Sequence, residues 1–94
     1  MGWEYSVAME QLSGTDLIAR YIEQDPHHPG PADVRLRESC VPVWAIIGHY
    51  QATGRDPRYV ADSYEVPLEA VEAALAYYQQ HQAVIEARLA ANAA

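Results

Sequence analysis

The sequence contains no lysine, a single cysteine, and neither glycine nor proline beyond Pro67. Each absence excludes something. Without a second thiol, Cys40 has no internal disulfide partner, which fits a reducing, cytoplasmic setting. No apolar run approaches the ~20 residues that cross a bilayer, so no membrane-spanning segment is expected. The opening MGWEYSVAMEQ carries acids with no basic flank or long apolar stretch, unlike a secretory signal. What is present is one domain's worth of chain. Of 94 residues 47 are hydrophobic and 16 of those are alanine, leaving 31 larger apolar side chains for one compact core.

Charge is unevenly placed. Six arginines oppose 13 acids, for a net charge of -7. Residues 1–34 carry six acids against Arg20, a balance of -5, and residues 59–94 carry five acids against Arg88, a balance of -4. Only residues 35–58 are basic, with Arg35, Arg37, Arg55 and Arg58 against Glu38 and Asp56, a balance of +2. Phosphate contacts supply most non-specific affinity in nucleic-acid binders. Only this middle third has the sign such contacts require.

Residues 1–14 lack periodicity and read as a frayed N-terminal arm, leaving 15–94 as a single helical domain. Ser13 and Asp16 stand at capping-box spacing and predict a helix start. Leu17, Ile18, Tyr21 and Ile22 form one helical face, and the helix should end before Asp25-Pro26. Pro26 to Pro31 holds three of the six prolines and predicts a loop. Ala32 to Glu38 reads as a short helix carried only by Val34 and Leu36. Val41-Pro42-Val43 reads as a short extended pair at most.

From Pro42 the pattern is clearer. Val43, Trp44, Ile46, Ile47 and Tyr50 make a broad apolar face, with Pro42 suited to a first turn and Gly54 to a helix end. Asp56 followed by Pro57 predicts a capped helix carrying Val60, Ala61 and Tyr64. Glu65-Val66-Pro67 breaks it, and a further helix opens at about Pro67. This is the spacing of a helix-turn-helix, placed at 56–81. Ala61 allows close approach, Val66, Val71 and Leu75 close the small core, and Glu65 occupies a turn position that commonly holds glycine. The fold class is therefore all-α, a small helical domain with at most a short β pair near 41–43.

Beyond Pro67, the residues Leu68, Val71, Leu75, Tyr78, Ile85 and Leu89 follow a heptad-like alternation, with Gln82 in the gap. One helix over 67–91 would be ~37 Å long, against a compact body roughly 30 Å across. It either overhangs, exposing the seam to a second copy, or breaks near Gln79–Gln82. The seam Val71, Leu75, Tyr78, Gln82, Ile85 and Leu89 is the expected homodimer interface.

The run Cys40-Val-Pro-Val-Trp-Ala-Ile-Ile-Gly-His-Tyr50, the run Val60-Ala-Asp-Ser-Tyr-Glu-Val-Pro67 and the run Glu69-Ala-Val-Glu-Ala-Ala-Leu-Ala-Tyr-Tyr78 together resemble the bacterial "domain of unknown function 433" family. Its members are similar to VapB-type antitoxins of toxin–antitoxin pairs. The resemblance covers about residues 20 to 92. It implies a homeodomain-like or winged-type fold, a homodimer, binding to operator DNA, and a PIN-like ribonuclease toxin as partner. Where the family often has Gly-Thr-Arg, this chain has Glu38-Ser39-Cys40, one basic side chain fewer.

In DNA readers built this way the start of the second helix meets base edges. The expected DNA-binding residues are therefore Glu69 and Glu72 at the bases, with Arg55 and Arg58, and Arg35 and Arg37 on the flank, at phosphates. The acidic arm or the Gln79–Ala91 segment is expected to mask the toxin's basic cleft. The alternative is a protein-interaction module that keeps the helix pair and binds no DNA. His27, His28, His49 and His81 lack zinc-site spacing, so no metal is expected. Cys40 reads as an inert thiol, and no catalytic constellation or cofactor motif is present, so the chain is not expected to be an enzyme. Trp44, Ile47 and Tyr78 read as core rather than a stacking platform, with Tyr77 beside the seam and available to an interface.

Overall fold

The computed structural model describes residues 13–93. Among them are five helices and one pair of strands: α1 (Gly14–Tyr21), β1 (Ile22–Glu23), β2 (Arg35–Leu36), α2 (Val43–Ala52), α3 (Pro57–Tyr64), α4 (Leu68–Gln80) and α5 (Gln82–Ala93). The domain is mainly helical with a short β pair, as its composition and spacing predict. Residues 1–12 of the expected arm lie outside the described residues, whereas Ser13 and Gly14 cap and open α1.

Local chemistry sets most of the boundaries. Ser13 accepts a hydrogen bond from the Asp16 amide at 3.1 Å, satisfying one exposed donor of α1. The α2 helix ends through Gly54, whose φ of 85° suits glycine, and the Arg55 amide returns to the Tyr50 carbonyl at 2.9 Å. Asp56 caps α3, accepting from the Arg58 and Tyr59 amides, with Pro57 at the first helical position.

The β pair is where the sequence reading needs correction. The segment 32–38 is not helical: turns flank a two-residue strand, and β2 runs antiparallel to β1 with Ile22 opposite Leu36 and Glu23 opposite Arg35. Val34 and Leu36 both face the core at 2% and 3% exposure, while Arg35 between them turns outward to Glu23. That is strand alternation, and two apolar residues two apart cannot build a helical face. Of the extended piece expected at 41–43, Pro42 forms an isolated bridge to Arg35, while Val43 already opens α2 and its amide bonds the Val34 carbonyl at 3.0 Å.

The core gathers Ile22, Val34 and Leu36 from the pair, Val43, Ile46 and Ile47 from α2, Val60 and Ala61 from α3, and Val71 with several alanines from α4. The chain beyond Pro67 takes the broken form. His81 leaves the helical conformation at φ -134° and ψ 42°, separating α4 from α5. The bend brings Ile85 to complete burial and sets Leu89 against Gly48 of α2, where an added Cβ would lie 3.0 Å from the leucine methyl. Full burial of a large aliphatic side chain is worth about 1.5–3 kcal/mol, which outweighs one distorted helical residue.

Candidate interaction surface

The corner between α3 and α4 is built as the spacing predicts. Glu65 holds the left-handed conformation, φ 56° and ψ 47°. The Val66 amide reaches back to the Ala61 carbonyl at 3.0 Å and the Glu65 amide to Asp62 at 3.2 Å, a Schellman closure. Val60, Ala61 and Val71 are buried beneath it, with Val66 and Leu75 packed alongside. A helix follows α4, not the strand hairpin of a winged type.

What the sequence did not locate is the partner of α1. The first helix lies antiparallel along α4. At one end Gly14 approaches so closely that a Cβ there would sit 3.3 Å from that of Ala76, and at the other the Tyr21 hydroxyl donates to Glu69 Oε1 at 2.6 Å. The carboxylate's acceptance of that proton, together with burial and the negative charge of Glu69, raises the Tyr21 phenol above its ordinary range. Glu69, expected to meet bases, is thus engaged by the chain itself, and only Glu72 of the pair stands without such a contact.

Arg35 and Arg37 also have other work. Arg35 Nε bonds Glu23 at 2.8 Å and its Nη1 lies 3.9 Å from Asp25. The Glu23 bond raises the Arg35 guanidinium further above its normal value. Arg37 lies 3.7 Å from Glu23 and donates to the Ala19 carbonyl at 3.1 Å. Arg35 thus ties β2 to β1, and Arg37 ties the residue after β2 to β1 and the end of α1, so both arginines, expected at phosphates, are engaged within the chain. The Asp25 carboxyl is held below its usual range, first by the His27 amide at 2.8 Å and further by Arg35. Arg55 and Arg58 are exposed and have no carboxylate within 4 Å among the described residues.

The heptad residues are largely internal. Val71 and Ile85 have 0% exposure within the chain, which removes them from any seam presented to a second copy. Leu75 and Leu89 pack against the core. Tyr78 donates to Glu86 and accepts from Gln51 at 3.3 Å, a node joining α4, α5 and α2. The Tyr78 bond lowers the Glu86 carboxyl below its usual range, with Gln51 and Arg55 adding to the effect. Gln82 alone of the six is exposed. Tyr77, read as available to an interface, is buried, and its hydroxyl holds the Pro31 carbonyl at 2.6 Å. The 3–4 alternation therefore records packing of α4 and α5 on their own domain.

Beside the corner is a groove of about 540 Å³, walled by the end of α1, the turn after β2 at 36–39, and the α3–α4 turn with Ala70. Exposed carboxylates mark the corner on three successive pieces: Asp62 on α3, Glu65 in the turn, Glu69 and Glu72 on α4. No arginine lies on α4. Among the described residues no group of His, Cys, Asp and Glu side chains is arranged to hold a metal ion, and no helix is long and apolar enough to cross a membrane.

Fold and surface together define a small helix-turn-helix domain whose corner is acidic and whose second helix is flanked by the chain's first. The chain belongs to the DUF433 family, described as "Protein of unknown function (DUF433)", through residues 32–78. The matched stretch runs from just before β2 to α4 and is shorter than the 20–92 the motifs suggested, leaving α1 and α5 outside it. No curated protein and no solved structure matched the chain.

Proposed function

We propose that the chain is an antitoxin-like protein whose helix-turn-helix serves as a scaffold for binding a protein partner, a PIN-like ribonuclease. The observation that carries this reading is that α1 packs along one face of α4 with Tyr21 bonded to Glu69, and the helix a DNA reader would insert into the major groove leaves carboxylates and no arginine in solvent. The charge supports it: a ribonuclease needs cationic groups to hold phosphates, and a chain of net charge -7 competes for them. The resemblance to VapB-type antitoxins supplies the partner class. Co-expression with the protein encoded beside this gene tests it. The pair should co-elute with RNA cleavage suppressed; separate elution with undiminished cleavage overturns the reading.

Operator binding is the second reading, and one observation favours it. Arg55 and Arg58 flank the cap of α3, with Tyr59, 51% exposed, beside them. In this version the chain meets DNA through the head of α3, not through Glu69 and Glu72. Replacing both arginines by alanine then weakens binding equally for all sequences in a gel-shift titration, while unchanged affinity rejects the phosphate role.

A further inference from the structure

The exposed side of α3 carries its charges in an order that suits a reversed copy of itself. Val60 and Ala61 are buried, leaving Arg58, Tyr59, Asp62 and Ser63 in solvent, with exposed Arg55 ahead of the cap and exposed Glu65 in the closing turn. Arg55, Arg58, Asp62 and Glu65 follow at intervals of three, four and three residues, the spacing of one helical stripe, with both cations first and both acids last. Apart from the Asp56 cap, which is engaged by the Arg58 and Tyr59 amides, this order opposes the helix macrodipole, which favours acids at the head and cations at the tail. Arg58 and Asp62 stand one turn apart without pairing, and none of the four charges forms an ion pair with a described residue. Arg55 acts on the Glu86 carboxyl only from beyond that range. Among the described residues Tyr59 is the one large hydrophobic side chain left exposed, and its ring lies parallel to that of His49 at 5.7 Å. It stands beside the midpoint of the four charges.

We propose that α3 docks on the α3 of a second copy, antiparallel about a twofold axis near residue 60, with each Arg58 against the partner's Asp62, each Arg55 against the partner's Glu65, and the two Tyr59 rings near the centre. The intervals read the same in both directions, so reversing the copy sets every cation opposite an acid. The pattern selects this occupant: a cationic segment meets the arginines and an anionic one meets the acids, whereas the reversed face matches at all four positions. The pairing also sets opposed helix dipoles side by side. Eight helical residues span about 12 Å, short of the roughly 800 Å² per partner typical of stable interfaces, so the dimer is weak and concentration-dependent. The inference goes beyond the ribonuclease proposal and does not depend on it. In the dimer Arg55 and Arg58 are closed to phosphates.

Charge exchange, read by analytical ultracentrifugation of the full chain, tests the pairing. The wild type should pass from monomer toward dimer between about 10 μM and 1 mM, the range expected of a small interface. Arg58→Asp sets acid opposite acid across the axis and Asp62→Arg sets cation opposite cation, so each variant alone should stay monomeric. Mixed in equal amounts the two variants match again, and a dimer holding one of each should form at about the wild-type concentration. Arg58→Asp combined with Asp62→Arg in one chain exchanges both signs and should likewise restore pairing. Tyr59→Ala should weaken wild-type association about tenfold, as expected for truncating an aromatic at the centre of an interface. Both exchanged positions are exposed, so the variants keep the fold, which circular dichroism verifies. A wild type that stays monomeric throughout, a single variant that dimerises as the wild type does, or a mixture no more associated than its components overturns the proposal.

Discussion

Glu65 shows how much one backbone angle carries. At φ 56° an L-residue crowds its own carbonyl, a cost of roughly 1–2 kcal/mol that glycine avoids. Glycine gives back part of this through its greater freedom in the unfolded chain. Glu65→Gly should therefore stabilise the domain by about 0.5–1 kcal/mol, seen as a higher midpoint in urea. A lower midpoint would mean that the carboxylate contributes to the fold itself. The Tyr78–Glu86 bond gives a second prediction. Its loss in Tyr78→Phe should return the Glu86 carboxyl upward toward the ordinary glutamate range, as read by carboxyl-carbon NMR. The sign for stability follows. Glu86 and Asp25 are both lowered in the folded chain, so they stabilise it above their unfolded values, near 4, and that contribution fades as pH falls through their folded values. Thermal midpoints should drop across that acidic window, and less steeply in Tyr78→Phe. Parallel slopes would remove the bond from the account.

Among elements, α1 and α5 are held differently. The α1 helix has no fully buried residue and depends on its cap, half-buried Leu17, Ile18 and Tyr21, and the contacts with α4. Ser13→Ala should cost about 1 kcal/mol, with faster amide exchange confined to residues 14–21. The α5 helix has one fully buried anchor, Ile85. Ile85→Ala should cost about 2–5 kcal/mol and raise exchange across 82–93 before 68–80. Uniform exchange across both would mean α4 and α5 act as one rod. What was legible in the sequence at this scale follows from range. Ser13, Gly54, Asp56-Pro57 and Glu65 act on neighbours a few residues away, and each boundary they imply is present. The β pair joins residues 14 apart, Ile22 and Leu36, and the arginine clamp joins Arg35 to Glu23, 12 apart. No local pattern encodes such partners. The apolar face of α1 announces that it docks, not that α4 receives it. The heptad alternation does not choose between partners, because a helix folded back on its own domain and one paired with a copy bury the same stripe.

For the whole molecule, charge and coverage point the same way. Four exposed carboxylates mark the corner, two of the four flanking arginines are ion-paired with Glu23, and the helix packed along α4 lies outside the family match. The groove was not legible in the sequence because its walls come from three separated segments. If DNA is bound, Arg55 and Arg58 are the two phosphate contacts on offer among the residues first expected to make them. The plot of log affinity against log salt should then have a slope of about -2. A slope several units steeper would reveal a basic surface that this account lacks. The most direct test of the protein-scaffold reading is a titration of the chain into the PIN-like ribonuclease proposed as its partner, following cleavage of a labelled RNA. The account predicts that cleavage falls to background at equimolar protein. Cleavage that continues undiminished through a large excess of the chain would contradict it.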